Sequence, residues 1–194
     1  MRNSISQNKA ARRFRSAFTL IEVVTALFIV MVGVVSAYNL LNQTIAASSS
    51  ISMRLTAAYL GKEGIEIVKN IRDSNYLKIH YEPDGTYNWV NGLTSDSVPG
   101  VNAVDCSGLA GNPGCRAQYD SNILSNVNVD QPLTYSAATG FFSYDPAGTP
   151  TVYRRIITVE PNGDILNVSV GVNWTERGKP FSLTVRENIY NWWR

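Results

Sequence analysis

The run Ala17-Phe18-Thr19-Leu20-Ile21-Glu22, followed over residues 23–37 by VVTALFIVMVGVVSA, decides how the rest of the chain is read. No charged side chain occurs from Val23 to Met53. With Phe18 to Ile21 the apolar stretch reaches about 20 residues, interrupted only by Glu22 and the small polar side chains of Thr and Ser. That length matches a helix that crosses a bilayer.

The flanks fix a direction. Residues 1–17 carry Arg2, Lys9, Arg12, Arg13 and Arg15 and no acid. These are five of the chain's 17 Lys and Arg, so the remainder holds twelve against 15 Asp and Glu. The basic pI of about 8.5 therefore belongs mainly to the leader, and it does not point to nucleic acid as a partner. Positive charge before the apolar run and none just after it orients the N-terminus to the cytoplasm. Everything from about residue 42 onward is then expected outside the membrane. At 194 residues the chain has room for one small domain plus an extension.

Beyond residue 41 the helical pattern continues but changes character. Leu55, Ala58, Tyr59, Lys62, Ile65, Glu66, Lys69 and Arg72 recur at helical spacing, and Leu60, Ile67, Val68 and Ile71 supply an apolar stripe. Ser48-Ser49-Ser50 and the pair Gly61, Gly64 read as local weak points. One helix from residue 18 to about 76 would span roughly 90 Å at its ordinary rise. No small domain buries such a rod. It must enter lipid or pack against other molecules.

Residues 77 to about 133 read as loops, broken by Pro83-Asp84-Gly85 and Pro99-Gly100, with short strands such as Thr86–Val90. The last 60 residues read as antiparallel sheet. Thr151–Val159 is β-branched and aromatic, and Pro161-Asn162-Gly163-Asp164 signals a turn. Leu166, Val168, Val170, Val172 and Trp174 alternate onto one face. Glu176-Arg177-Gly178-Lys179 turns the chain again, and Phe181, Leu183, Val185 and Ile189 line a final strand. A sheet of three or four strands needs a cover, and the second half of the helix supplies one. The expected fold is α+β: a long N-terminal helix, membrane-spanning in its first half, with a C-terminal antiparallel sheet packed on its second half. The expected division is a leader at 1–17, a transmembrane or filament-core helix at 18–41, its amphipathic continuation at 42–76, and an extracytoplasmic domain at 77–194.

Cys106 and Cys115 enclose a turn-rich loop. In an oxidising compartment outside the cytoplasmic membrane a disulfide is the favoured reading over two free thiols. Two cysteines and the remote His80 do not make a zinc site, and neither Asp84-Gly85 nor Asn162-Gly163-Asp164 offers a calcium ligand set. No metal, cofactor or catalytic constellation is expected, and the chain is not read as an enzyme.

Residues 12–38 resemble the processing segment of type IV pilins and type II secretion pseudopilins. In that family a short basic leader ends in a small residue, a hydrophobic residue begins the mature chain, and a Glu follows four residues later. Here Ala17 ends the leader, Phe18 begins the mature chain and Glu22 is the acid. The family usually has glycine where this chain has Ala17, and alanine is an accepted variant. Residues 55–77 look similar to the helical region of V-type minor pilins and I-type pseudopilins. The resemblance implies cleavage between Ala17 and Phe18 by prepilin peptidase and methylation of the Phe18 amine. It implies pairing of Glu22 with a neighbour's amine during assembly. The implied partners are other pilin or pseudopilin subunits, the inner-membrane assembly machinery and membrane lipid. The implied product is a minor pilin or pseudopilin of a filament at the cell surface or in the periplasm.

The residues alone leave other readings open. Glu22 at the cytoplasmic interface would also be tolerated by snorkelling. Val35-Ser36-Ala37 resembles a signal-peptidase site, which would make the chain a secreted or membrane-anchored binding module with no filament role.

Overall fold

The computed structural model describes residues 18–95, 104–109 and 112–192. The chain separates into two units, one up to Ser48 and one from Ser49 onward.

The described part of the first unit is helical from Leu20, the start of α1 (Leu20–Tyr81). Its large apolar side chains, from Leu20 through Val35 to Ile45, are all exposed. They point in every direction, so there is no apolar face and polar face to distinguish. A helix that is apolar all round is stable only where its whole surroundings are apolar. It is also long and apolar enough to cross a membrane.

The second unit holds the remainder of α1 and all the strands. Here the helix buries one face: Ala57, Leu60, Gly61, Gly64, Ile65, Ile67, Val68, Ile71, Asn75 and Tyr76. The helix runs about five residues past the expected end at 76. Asn75 holds it there by donating from Nδ2 to the carbonyls of Trp89 (3.2 Å) and Asn91 (2.8 Å). It stops before Pro83, whose ring disfavours helical geometry in the preceding residue.

No strand forms at Thr86–Val90. Local turns take the backbone groups instead: Asp84 Oδ1 accepts from the Thr86 amide, and Asn88 Oδ1 accepts from the Val90 amide. Three very short strands, β1 (Thr134–Tyr135), β2 (Phe142–Ser143) and β3 (Thr149–Pro150), form a small antiparallel sheet in the order β2-β1-β3.

The main sheet is a meander of β4 (Arg154–Asn162), β5 (Ile165–Glu176) and β6 (Lys179–Tyr190), in that order. The β5–β6 turn is two residues, with Arg177 at φ 50° and Gly178 at φ 77°, the left-handed pair a tight hairpin requires. Along β5 every second residue from Leu166 to Glu176 is buried, as the alternation predicts. The sheet lies on the second half of the helix, as expected.

The glycines read from sequence as weak points are the contact itself. A β-carbon on Gly61 would come within 2.8 Å of Val185, and one on Gly64 within 2.8 Å of Val170. Their hydrogens let the helix backbone approach the sheet more closely than any other residue permits.

Candidate functional site

The segment singled out by sequence begins at Phe18; Ala17 and the basic leader lie outside the described residues. Phe18 is exposed and non-helical. Thr19 then starts the helix: its carbonyl accepts from the Glu22 amide (3.1 Å) and the Val23 amide (3.2 Å), and its hydroxyl accepts from the Glu22 amide at 3.4 Å. Thr19-Leu20-Ile21-Glu22 has the Ser/Thr-x-x-Glu spacing that opens many helices. That spacing was legible in the sequence, yet only the acid was singled out there. Glu22 thus occupies the first turn, where the unpaired amides of the helix favour a negative charge.

Three hydroxyls of this unit turn inward on the helix itself. Thr25 donates to the carbonyls of Ile21 (2.9 Å) and Glu22 (3.0 Å). Ser36 donates to Val32 and Thr44 to Leu40, both at 2.8 Å. These three hydroxyls are satisfied without water, which suits a helix surrounded by hydrocarbon. Glu22 is the one Asp, Glu, Lys or Arg among the described residues of this unit. Gly33 has nothing within 4 Å of where a β-carbon would stand.

Cys106 and Cys115 are joined, with their Cα atoms 5.2 Å apart. Both are buried, so the staple belongs to the core rather than to a free surface loop. It fastens the loop to the outer edge of β4. The Val159 amide donates to the Cys106 carbonyl (2.9 Å), and Cys115 and Ile157 exchange backbone bonds of 2.7 and 2.8 Å. Gly114, at φ +110°, passes so close to β4 that a β-carbon would meet the Ile157 carbonyl at 2.9 Å. Asp105 caps the start of the loop by accepting from the Ser107 amide at 3.0 Å. That amide, with the Ser107 and Asn112 side chains, holds the Asp105 carboxyl below its ordinary pKa.

The sequence reading missed Arg155. It sits wholly inside the domain, between β4, α1 and the cysteine-loop segment. Its guanidinium donates to the Leu60 carbonyl (3.1 Å) and the Ala117 carbonyl (2.7 Å), and lies 3.3 Å from a Glu63 carboxylate oxygen. The Tyr144 hydroxyl donates to the Arg155 carbonyl at 3.2 Å. Burial pushes the Tyr144 phenol up, against the pull of Arg155 and Arg116. The signal for Arg155 was its parity: it alternates with Ile157 and Val159 onto the covered face of β4. Trp174 is buried as expected and stacks on Phe181, with ring centroids 5.8 Å apart.

These features divide cleanly. The cysteine loop and Arg155 hold the second unit together, whereas the segment from Phe18 stabilises nothing in the described fold. Residues 12–38 match the family model of the prokaryotic N-terminal methylation motif, the signature of type IV pilins and pseudopilins. The motif supports a pilin-like or pseudopilin precursor, and the apolar helix is consistent with membrane anchoring. No curated protein and no solved structure matches the chain.

Proposed function

We propose that this chain is a minor pilin or pseudopilin, inserted in the cytoplasmic membrane as a prepilin and built after processing into a type IV pilus-like filament. Prepilin peptidase cuts between Ala17 and Phe18, the new amine of Phe18 is methylated, and the domain beyond residue 42 stands on the extracytoplasmic side. Other pilin subunits and the inner-membrane assembly machinery are its partners. The chain acts as a building block and not as an enzyme.

The observation that carries this reading is the coincidence of the motif with a helix whose apolar side chains are exposed on every side. Such a surface requires lipid first, and neighbouring apolar helices once it leaves the membrane. Glu22 gives the transfer a register. A carboxylate in apolar surroundings needs a cation, and a neighbour's Phe18 amine supplies one. The helix continues without a break through Val35-Ser36-Ala37, which favours this reading over signal-peptidase release.

Mass spectrometry of the membrane fraction tests the proposal. A peptide beginning at methylated Phe18 is expected, and one beginning at Tyr38 would overturn it. In cells making wild-type pilins, Glu22→Ala should insert normally yet enter filaments at least tenfold less. Unchanged incorporation removes the pairing role.

A further inference from the structure

The two edges of the main sheet are treated differently. In β4 the edge is covered: Ile157 bonds Cys115, the Val159 amide bonds Cys106, and the Tyr153 carbonyl accepts from Leu133. On the β4 side, Tyr153, Ile157 and Val159 are all odd-numbered, because the even-numbered residues from Arg154 to Asn162 face β5. In β6 the tight turn makes Glu176 and Lys179 the first bonded pair with β5, so there the odd-numbered residues face inward. The even-numbered residues then aim their amides and carbonyls away from the sheet. Among the described residues none of these backbone groups has a backbone partner.

A free edge of 12 residues is long, and an unprotected one pairs with other chains. This one is fenced at particular places. Lys179 and Pro180 guard its start, and Arg186 with Glu187 guards its later part. Between them Phe181-Ser182-Leu183-Thr184-Val185 is uncharged and rich in strand-forming residues. On its helix side Phe181, Leu183 and Val185 are only half-buried.

The helix beside this edge is basic. Arg54 lies 5.7 Å from the Phe181 ring, Lys62 follows the glycine that touches Val185, and Lys69 pairs with Glu187 at 2.8 Å. Lys69 is neutralised by Glu66 and Glu187, but Arg54, Lys62, Lys179 and Arg186 have no carboxylate partner among the described residues. Two copies meeting edge to edge would bring these cations together. A strand bearing carboxylates would meet them favourably.

We propose that the free edge of β6, centred on Ser182 and Thr184, is a docking site for an extended acidic segment of a different polypeptide, added as a fourth strand. Main-chain bonds to β6 supply the affinity, and the basic line of α1 selects the charge. The inference does not depend on the filament reading.

The test uses the full chain in detergent micelles and a blocked ten-residue peptide of alternating Glu and Val, with a Lys-for-Glu counterpart. The acidic peptide should bind, and it should slow amide exchange across residues 179–190. The basic peptide should bind at least tenfold more weakly. Thr184→Pro removes an outward amide without touching a bond to β5, and should weaken binding at least tenfold. Thr184→Val keeps the amide and should bind as the wild type. Four results would overturn the proposal: no binding of the acidic peptide, equal binding of both peptides, equal binding by both Thr184 variants, or a β6 already protected in the free chain by its own residues or a second copy.

Discussion

The helix before residue 49 is mostly apolar, the helix after it mixes apolar with charged residues, and the two place their apolar side chains differently. Leu27 is 55% exposed and Leu55 is 54% exposed, so by accessibility the two are equivalent. Around Leu27 every neighbour is also apolar and also exposed. Around Leu55 the exposed positions include Arg54 and Lys62, while the apolar mass lies on the opposite face against β4, β5 and β6. Exposure in an isolated chain therefore has two meanings. In the second unit it marks a surface for water, and in the first, on the proposed reading, a surface for lipid and for other helices.

The largest effect is expected where the second unit is most committed. Arg155→Ala should cost about 3–5 kcal/mol, because it strips Glu63 and two carbonyls of their partner and leaves a void. Arg155→Met, which fills the space without charge, should cost much less. Denaturant unfolding of the two variants separates a buried charge that is needed from one that is tolerated. Equal losses would show that shape alone matters there.

The equivalence of Leu27 and Leu55 can be broken directly. Leu27→Arg should lower membrane insertion by about 2.5–3.5 kcal/mol, the cost of a charge at mid-bilayer. Leu55→Arg should leave insertion unchanged and stability within about 0.5 kcal/mol, as for an ordinary surface substitution. Alkaline extraction of membranes and thermal unfolding give the two readings. If both variants insert equally well, residues 18–48 do not face lipid.

The smallest effect contrasts three glycines. Gly61→Ala and Gly64→Ala gain up to about 1 kcal/mol of helix propensity but collide with Val185 and Val170, and each should lose a net 1–2 kcal/mol or so. Gly33→Ala meets nothing in the chain and should only gain helicity. Circular dichroism in micelles measures the gain, and unfolding of the domain measures the loss. A stabilised Gly64→Ala domain would mean that the helix does not approach the sheet this closely.

Much of this could be read from residue order. The uncharged run from Val23 to Met53 dictates an apolar helix, because its length and lack of charge leave no other stable state. The period of two in Leu166–Trp174 dictates a half-buried strand, and Arg177-Gly178 dictates a tight turn, since both signals are local. The segment from Phe18 to Glu22 was legible for the same reason: its meaning lies in spacing along one chain.

What the tertiary structure decided is everything that depends on which surfaces meet. Gly61 and Gly64 are weak points of a helix considered alone, and become its contact line only when a sheet lies 2.8 Å from where their β-carbons would be. Arg155 is a charge on a strand until α1 and the cysteine-loop segment close over it and offer Leu60 and Ala117 carbonyls. The covered edge of β4 and the open edge of β6 are alike in strand propensity; the path of the chain through Cys106, Cys115 and Leu133 separates them. Local spacing fixes what each segment can be, and long-range packing fixes which of its groups remain unsatisfied.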